Sequence, residues 1–421
     1  MPGVLRVGGM QPPEPVKVEH TSVRPTSGPR VLLNAISEIP VVSSTSWDPL
    51  RFHERLPSYA PTPIFSVPGL ATRLGIGTVL VNDESERLGL PAFKMLGASW
   101  ASYRSIIEHT GIDPDGWETI SELAALIEPH LPLTLATATD GNHGRAVSRF
   151  AKLVGLDARI WVPEGTVSAR IEAIESEGAT VTVVEGSYDD AVAVAGQAAN
   201  DSTLVVSDTS WPGYETVPQW VIDGYSTMMS EVEDQTGELG LPEPTVIVAP
   251  MGVGALGAAI VSHYSNHEPR PIIIGGEPTN AACVMAALEA GKIVTIPGPH
   301  DTMMAGLSCG TASPIAMPAI KAGLSATVSF DDEWAEEAMR LLAAEGIVAG
   351  ETGAASLATL LTIVDKRPDL RNVLNLGPDD VALLIVTEGA TDPVNYLAVV
   401  GKQASDVRSQ SRNIDGGVQE R

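Results

Sequence analysis

Cysteine is scarce: Cys283 and Cys309 are the only two. Two thiols cannot build a disulfide framework or a four-cysteine metal site. A single bond between them stays open, because sequence cannot place their Cα atoms. Basic residues are also few, with 26 Lys and Arg against 52 Asp and Glu and a net charge of −26. Such a chain repels phosphate backbones and anionic membranes, so neither nucleic acid nor membrane is expected as a partner. The charge itself reads as a solvated surface. There is no HExxH among the eight histidines. His263 and His267 lie four apart without a glutamate after His263, and read as polar residues at a helix end; a zinc enzyme is disfavoured. Long apolar runs are absent too. The most apolar stretch, Thr245 to Val261, is interrupted by Pro250, Gly252, Gly254 and Gly257 and falls short of the ~18 residues that suggest a membrane span. Residues 1–30 carry six prolines and no apolar h-region, so they do not read as a signal peptide. A soluble, cytoplasmic protein with reduced thiols is expected.

What is present supports a sizeable core. The chain has 421 residues, 44% of them hydrophobic, which excludes wholesale disorder and suggests roughly two to three domains. The proline-rich lead (1–30) and the polar tail (403–421) are expected to be loose. Between them, short runs rich in Val, Ile and Thr alternate with helical patterns. Strand candidates are Leu133–Thr139, Ala158–Val162, Thr180–Val184 and Thr203–Ser207, then Thr245–Ala249, Pro271–Gly275 and Val381–Thr387. Helices are expected over Arg145–Leu153, Ser168–Gly178 and Asp189–Ala198. Strand–helix–strand at this spacing predicts parallel βαβ units. Two clusters of them predict an α/β protein with two doubly wound lobes and a ligand cleft between them.

Three strand ends carry small or polar residues: Asp140-Gly141-Asn142-His143-Gly144, Gly252-Val253-Gly254-Ala255-Leu256-Gly257 and Glu388-Gly389-Ala390-Thr391-Asp392. The glycine loop opens a helix, whose N–H groups and dipole suit a phosphate. It is not a Walker loop, since no Lys-Ser/Thr follows. Gly252, Gly254 and Gly257 do fit the GxGxxG spacing of a dinucleotide fold, with Glu277 placed to serve as the acidic ribose ligand. Tight helix–strand packing is the structural alternative. Lysine is rare, at positions 17, 94, 152, 292, 321, 366 and 402. Only Lys94 lies among apolar neighbours, in Pro91-Ala92-Phe93-Lys94-Met95-Leu96-Gly97-Ala98-Ser99. A buried lysine loses its proton more easily and attacks carbonyls; the alternative is a lysine snorkelling from an amphipathic helix.

The combination of Lys94 in AFKMLGAS, then TATDGNHGRAVS, then the late glycine loop, resembles the fold type II pyridoxal-phosphate (PLP) enzymes. That group includes tryptophan synthase β chain, threonine dehydratase and cysteine synthase. Within it the chain is most similar to the diaminopropionate ammonia-lyases, through SYDDAV, DTSWPGYETVPQWVIDGY, GVGALG, MAGLSCG, GETGA and VTEGATD, in order from about residue 50 to 395. Relatives acting on serine or threonine usually have serine where Asp140 stands. The chain departs from the pattern at Ala98, where a second glycine is usual, and after MAGLSCG.

The resemblance implies a large PLP-binding domain (31–112 and 226–402), a small domain (113–225) and a homodimer. It implies that Lys94 holds PLP covalently, that Asn142 bonds its phenolic oxygen, that Gly252, Val253, Gly254, Ala255 and Leu256 cradle its phosphate, and that Thr387 faces its pyridine nitrogen. A neutral hydroxyl there tempers the electron sink and favours β-elimination over transamination. The substrate is then a small amino acid, 2,3-diaminopropionate, with Lys94, Asp140 and Asp189 catalytic and Ser99, Asp140, Asp189, Tyr214 and Glu351 against the substrate. Asp140 could instead cap the helix after it, and Asp189 and Asp190 could simply complement a helix dipole. His143 reads as structural. The competing readings are a serine, threonine or hydroxyaspartate dehydratase or a β-replacement synthase on the same fold, and a ligand-binding protein without catalysis. No metal is expected.

Overall fold

A computed structural model describes residues 29–34 and 48–415. Eleven strands form two sheets. β1 is Val31–Leu33, β2 Ile64–Ser66, β3 Thr78–Asp83, β4 Thr134–Ala138, β5 Asp157–Pro163, β6 Thr180–Val184, β7 Thr203–Val205, β8 Val246–Pro250, β9 Ile272–Pro278, β10 Ala326–Phe330 and β11 Val381–Val386. The larger sheet runs β1-β10-β9-β8-β11-β3-β2 and the smaller β6-β5-β4-β7. The smaller is parallel throughout. The larger is parallel inside, as expected, and its edge strands β1 and β2 are antiparallel. These edges have three residues each, short enough to lack a readable pattern.

The inner strands read as continuous apolar runs because both faces are covered. Leu80, Ile247, Leu383 and Ile385 enter one core. Their neighbours Val79, Val81, Val246, Val248, Leu384 and Val386 enter the other, as the two-residue period of a strand requires. The expected tail departs from the sequence reading as well. Residues Ala404–Asp415 are helical, held by Val407, which is fully buried, and by an Arg408–Glu86 ion pair of 2.8 Å. One valine is too little to show as a period. The lead through residue 28 and residues 416–421 lie outside the described residues.

Chain direction reverses twice in ways that position a site. From β4 the chain moves outward to β5 and β6, then returns to place β7 on the other side of β4. From β8 it moves to β9 and β10, then places β11 on the other side of β8. Crevices open beyond strand ends at such switch points. The helix Lys94–Thr110 packs against the helices Asn142–Leu153 and Thr216–Gly224. Its approach to the latter depends on Gly97, where a Cβ would stand 2.5 Å from Tyr225 Cε1 and 2.7 Å from the Val221 carbonyl. Ala98 beside it is fully buried without such a demand, so the departure from the usual double glycine is accommodated.

Candidate active site

Lys94 begins its helix, and the segment before it is fastened to the end of β11. Phe93 N–H donates to the Thr387 carbonyl (3.1 Å) and Gly389 N–H to the Pro91 carbonyl (2.9 Å). Thr387, buried just past β11, therefore shares a cavity wall with Lys94. The other walls are the loop after β8 (Gly252 to Leu256), the loop after β4 (Asp140, Asn142), and Tyr188, Asp208, Gly306, Cys309, Thr352 and Glu388. All three strand-end loops singled out in the sequence meet there.

Lys94 Nζ lies 2.7 Å from Asp208 Oδ2. Burial alone would lower the lysine pKa, but the negative charge of Asp208, with Tyr225 and Asp140 nearby, outweighs it and raises the value well above the ordinary one. The expectation of an easily lost proton is thereby corrected: the cavity is acidic, and Lys94 rests as an ammonium. Burial opposes ionisation of Asp208 too, yet Lys94, His143 and the Tyr188 hydroxyl hold its carboxyl well below the carboxylate range; the Tyr188 O–H donates to Asp208 Oδ1 at 2.7 Å. Entry of a carbonyl cofactor must break this ion pair before the amine can act as a nucleophile.

Asp140 does not cap the helix that follows it. That task falls to Thr139, whose Oγ1 accepts from the N–H groups of Gly141 (2.9 Å) and Gly144 (3.0 Å). Asp140 is left facing the cavity, with its pKa raised by burial against the pull of Lys94 and Arg170. Asn142 donates its side-chain amide to Glu388 Oε2. His143 is structural, with Nε2 on the Val206 carbonyl at 2.8 Å and its pKa lowered by burial.

Of the expected substrate contacts, Ser99, Asp189, Tyr214 and Glu351 do not line this cavity. Ser99 is buried inside its helix with Oγ turned to the Leu96 carbonyl. Asp189 accepts from Thr311 Oγ1 at 3.0 Å, while its neighbour Asp190 makes the capping box with Ser187. Tyr214 stacks on Trp211 and bonds backbone at Ser207 and Val205. Glu351 accepts from Asn395 at 2.6 Å. Conversely, the cavity holds Asp208, Tyr188 and Glu388, to which the sequence assigns no role. Asp208 opens the DTSWPGY block and Glu388 follows Thr387 directly, but neither position tells what the side chain will touch.

Cys283 and Cys309 are free and buried. His263 and His267 share Glu233 Oε1, each at 2.9 Å, and no metal-holding group occurs among the described residues. Glu277, the ribose ligand of the dinucleotide reading, does not line the cavity. Its carboxyl accepts from the N–H groups of Val284 (2.8 Å) and Met285 (3.0 Å). Burial pushes its pKa up to about 8. A carboxyl raised in the folded state binds its proton more tightly there than unfolded, so stability falls as pH rises from the ordinary value towards 8 and levels off above it. Melting temperatures between pH 5 and 9 should show this decline in the wild type and a flatter profile in Glu277→Gln.

The cavity fits pyridoxal phosphate. A lysine amine, an amide, a buried hydroxyl and the amides of a helix-opening loop converge on it. The loop leaves backbone bare: Gly254 has φ +98°, the left-handed region, and a Cβ on Gly252 would stand 3.0 Å from the Gly306 carbonyl. The pyridoxal-phosphate dependent enzyme family matches residues 56–388. The chain belongs to that family. It is 36% identical to diaminopropionate ammonia-lyase of Salmonella typhimurium over 83% of this chain and 90% of that one. The crystal structure of Escherichia coli diaminopropionate ammonia lyase in complex with D-serine superposes with a TM-score of 0.81 at 32% identity, covering 88% of this chain and 96% of that one. The same enzyme in complex with an aminoacrylate-PLP azomethine reaction intermediate gives 0.79, with the same identity and coverage. The fold is thus fold type II of the PLP enzymes, and the cofactor is PLP.

Substitution in the glycine loop tests the cradle. Gly254→Asp adds a carboxylate at the start of the helix that opens on the cavity, and also strain, since its Cβ would meet Ile320 Cδ1 at 2.6 Å in a left-handed backbone. Both Gly254→Asp and Gly254→Ala should therefore lower the melting temperature. Only the aspartate adds charge repulsion at the helix start, so it should bind PLP a further ~10-fold more weakly than the alanine variant, or about 1.4 kcal/mol. Equilibrium dialysis of PLP against both variants measures the difference.

Proposed function

We propose that this chain catalyses α,β-elimination of 2,3-diaminopropionate, giving pyruvate and two ammonia. The observation that carries the reading is Asp140: a carboxylate in the cleft, released from capping by Thr139. With Asp208 and Glu388 it makes three cavity carboxylates around one lysine. That excess of negative charge suits a substrate with two ammonium groups better than one with an ammonium and a hydroxyl. The kinship to diaminopropionate ammonia-lyases supports the same substrate.

Lys94 would hold PLP covalently, Gly252 to Leu256 its phosphate, Thr387 its ring nitrogen and Asn142 its phenolic oxygen, the last by leaving Glu388. Bound PLP supplies the electron sink that acidifies the substrate α C–H. The Lys94 amine, freed by substrate, takes the α proton from its own side. Asp140, on the strand end of the smaller sheet, takes it from the other, so the two serve opposite enantiomers. The β amine leaves with a proton, for which Asp140 and the Tyr188–Asp208 pair are the acid groups at hand. 2-Aminoacrylate departs and hydrolyses to pyruvate and ammonia. Division into a small domain (113–225) around the smaller sheet and a large one (31–112, 226–402) belongs to this reading. So does a cytoplasmic homodimer: two free buried thiols suit a reducing compartment, and no helix among the described residues is long and apolar enough to cross a membrane. Light scattering tests the dimer. The activity is tested by comparing kcat/KM for D- and L-diaminopropionate with L-serine and L-threonine. Preference for diaminopropionate is expected; preference for a hydroxy amino acid would replace the reading with a dehydratase.

A further inference from the structure

Arg170 lies on the helix Ser168–Glu175, next to the smaller sheet, and has no part in the chemistry above. Its aliphatic stem covers the backbone of Gly141, with Cδ 3.0 Å from where a Cβ there would stand. Its Nη2 reaches Thr391 Oγ1, beyond the end of β11 in the larger sheet, at 3.5 Å. Thr391 in turn donates to Glu388 Oε2 (3.2 Å), the oxygen that takes the Asn142 amide. One chain of contacts therefore runs from the helix of one sheet, past Asp140 and Gly141, to the strand-end loop of the other. Among the described residues Arg170 makes no ion pair.

We infer that Arg170 is a positioning residue for Asp140, a permanent cation held over the Asp140-Gly141 turn by Thr391 across the cleft. The electrostatics support the geometry. Groups facing Asp140 are Lys94 at its helix start, Asp208 after β7, Glu388 after β11, Tyr188, Tyr225 and Cys309. Burial, Asp208 and Glu388 all favour its neutral form, and the cations opposing them are Lys94 and Arg170. Lys94 is paired to Asp208 and is the residue that the cofactor occupies. Arg170 stands outside the cavity lining, so its charge remains when that of Lys94 is committed. A carboxylate acting as a base must be ionised, and Arg170 favours that state. It also acts on Glu351, whose Oε2 is buried without a partner.

This inference rests on Asp140 acting as the base for one enantiomer, and the test separates the two ideas. In the holoenzyme, Arg170→Gln keeps a polar group near Thr391 but removes the charge. The acid limb of kcat/KM for the D enantiomer should move to higher pH, so that activity below the wild-type limb falls about 3- to 10-fold, the scale of a shift of up to one pK unit. Arg170→Lys should restore the limb, and the limb for the L enantiomer should stay in place. An infrared pH titration gives a readout independent of turnover. The protonated-carboxyl band that is missing in Asp140→Asn should titrate higher in Arg170→Gln than in the wild type. An unmoved band and limb in Arg170→Gln, or an equal shift in Arg170→Lys, would overturn the inference while leaving the function intact. If instead Asp140→Asn loses neither the band nor D activity, the assignment of Asp140 itself fails.

Discussion

Lys94→Ala is expected to release no measurable ammonia from either enantiomer of diaminopropionate and to lack the long-wavelength absorbance of covalently held PLP. The cavity offers no second amine: Lys94 is the lysine among its lining residues, and its position is fixed by the backbone bonds to the end of β11. Removing it also leaves Asp208 buried without its cation, where its hydrogen bond from Tyr188 alone remains. Loss of one partner of a buried ion pair is costly, on the order of 3–5 kcal/mol, so the cofactor-free variant should melt earlier than the cofactor-free wild type. Lys94→Arg would keep a cation near Asp208 and recover part of the melting temperature without recovering ammonia release. Equal ammonia release by Lys94→Ala and wild type would contradict the assignment.

The second large effect concerns Asp140. Asp140→Asn keeps size and polarity but cannot accept a proton, so activity on the D enantiomer should fall by ~10²-fold or more, the usual scale for a general base. Activity on the L enantiomer should fall less, because Lys94 serves that face; it is not untouched, since Asp140 also stands near the departing amine. Little change in fold is expected, because Thr139 caps the helix here. Initial ammonia release from each enantiomer by both proteins gives the ratio. Equal loss on both would make Asp140 a leaving-group or structural residue.

Much of the fold was legible in the sequence, and for a physical reason. Strands β4 to β9 and β11 are short runs of aliphatic residues and Thr bounded by turn residues, and the structure has each within a few residues of its expected limits. β10 escaped because Ala326-Thr327-Val328-Ser329-Phe330 looks half polar, although all five residues are buried. Ser329 Oγ is satisfied by the Arg30 N–H at 3.2 Å, a partner that sequence cannot supply. β3 carries as little signal, its apolar stretch being only Val79-Leu80-Val81. In the site, Lys94 stood out as a lone lysine among apolar residues, and the glycine loop by its spacing. Asp208 and Glu388 did not, since their roles arise from contacts to Lys94 and Asn142, respectively 114 and 246 positions away. The charge state of Lys94 differs from expectation for the same cause: apolar neighbours in sequence lower a lysine pKa, but the carboxylates brought beside it by folding reverse the sign.

The most direct test of the central claim is an absorbance titration of the purified holoenzyme with D- and L-diaminopropionate, with pyruvate followed in the same cuvette. A visible band of covalently held PLP that shifts on adding either enantiomer, with pyruvate appearing at a rate that saturates along the same concentration curve, is the predicted result. A band that neither enantiomer moves, with no pyruvate formed from either while L-serine or L-threonine shifts it and is consumed, would contradict the account.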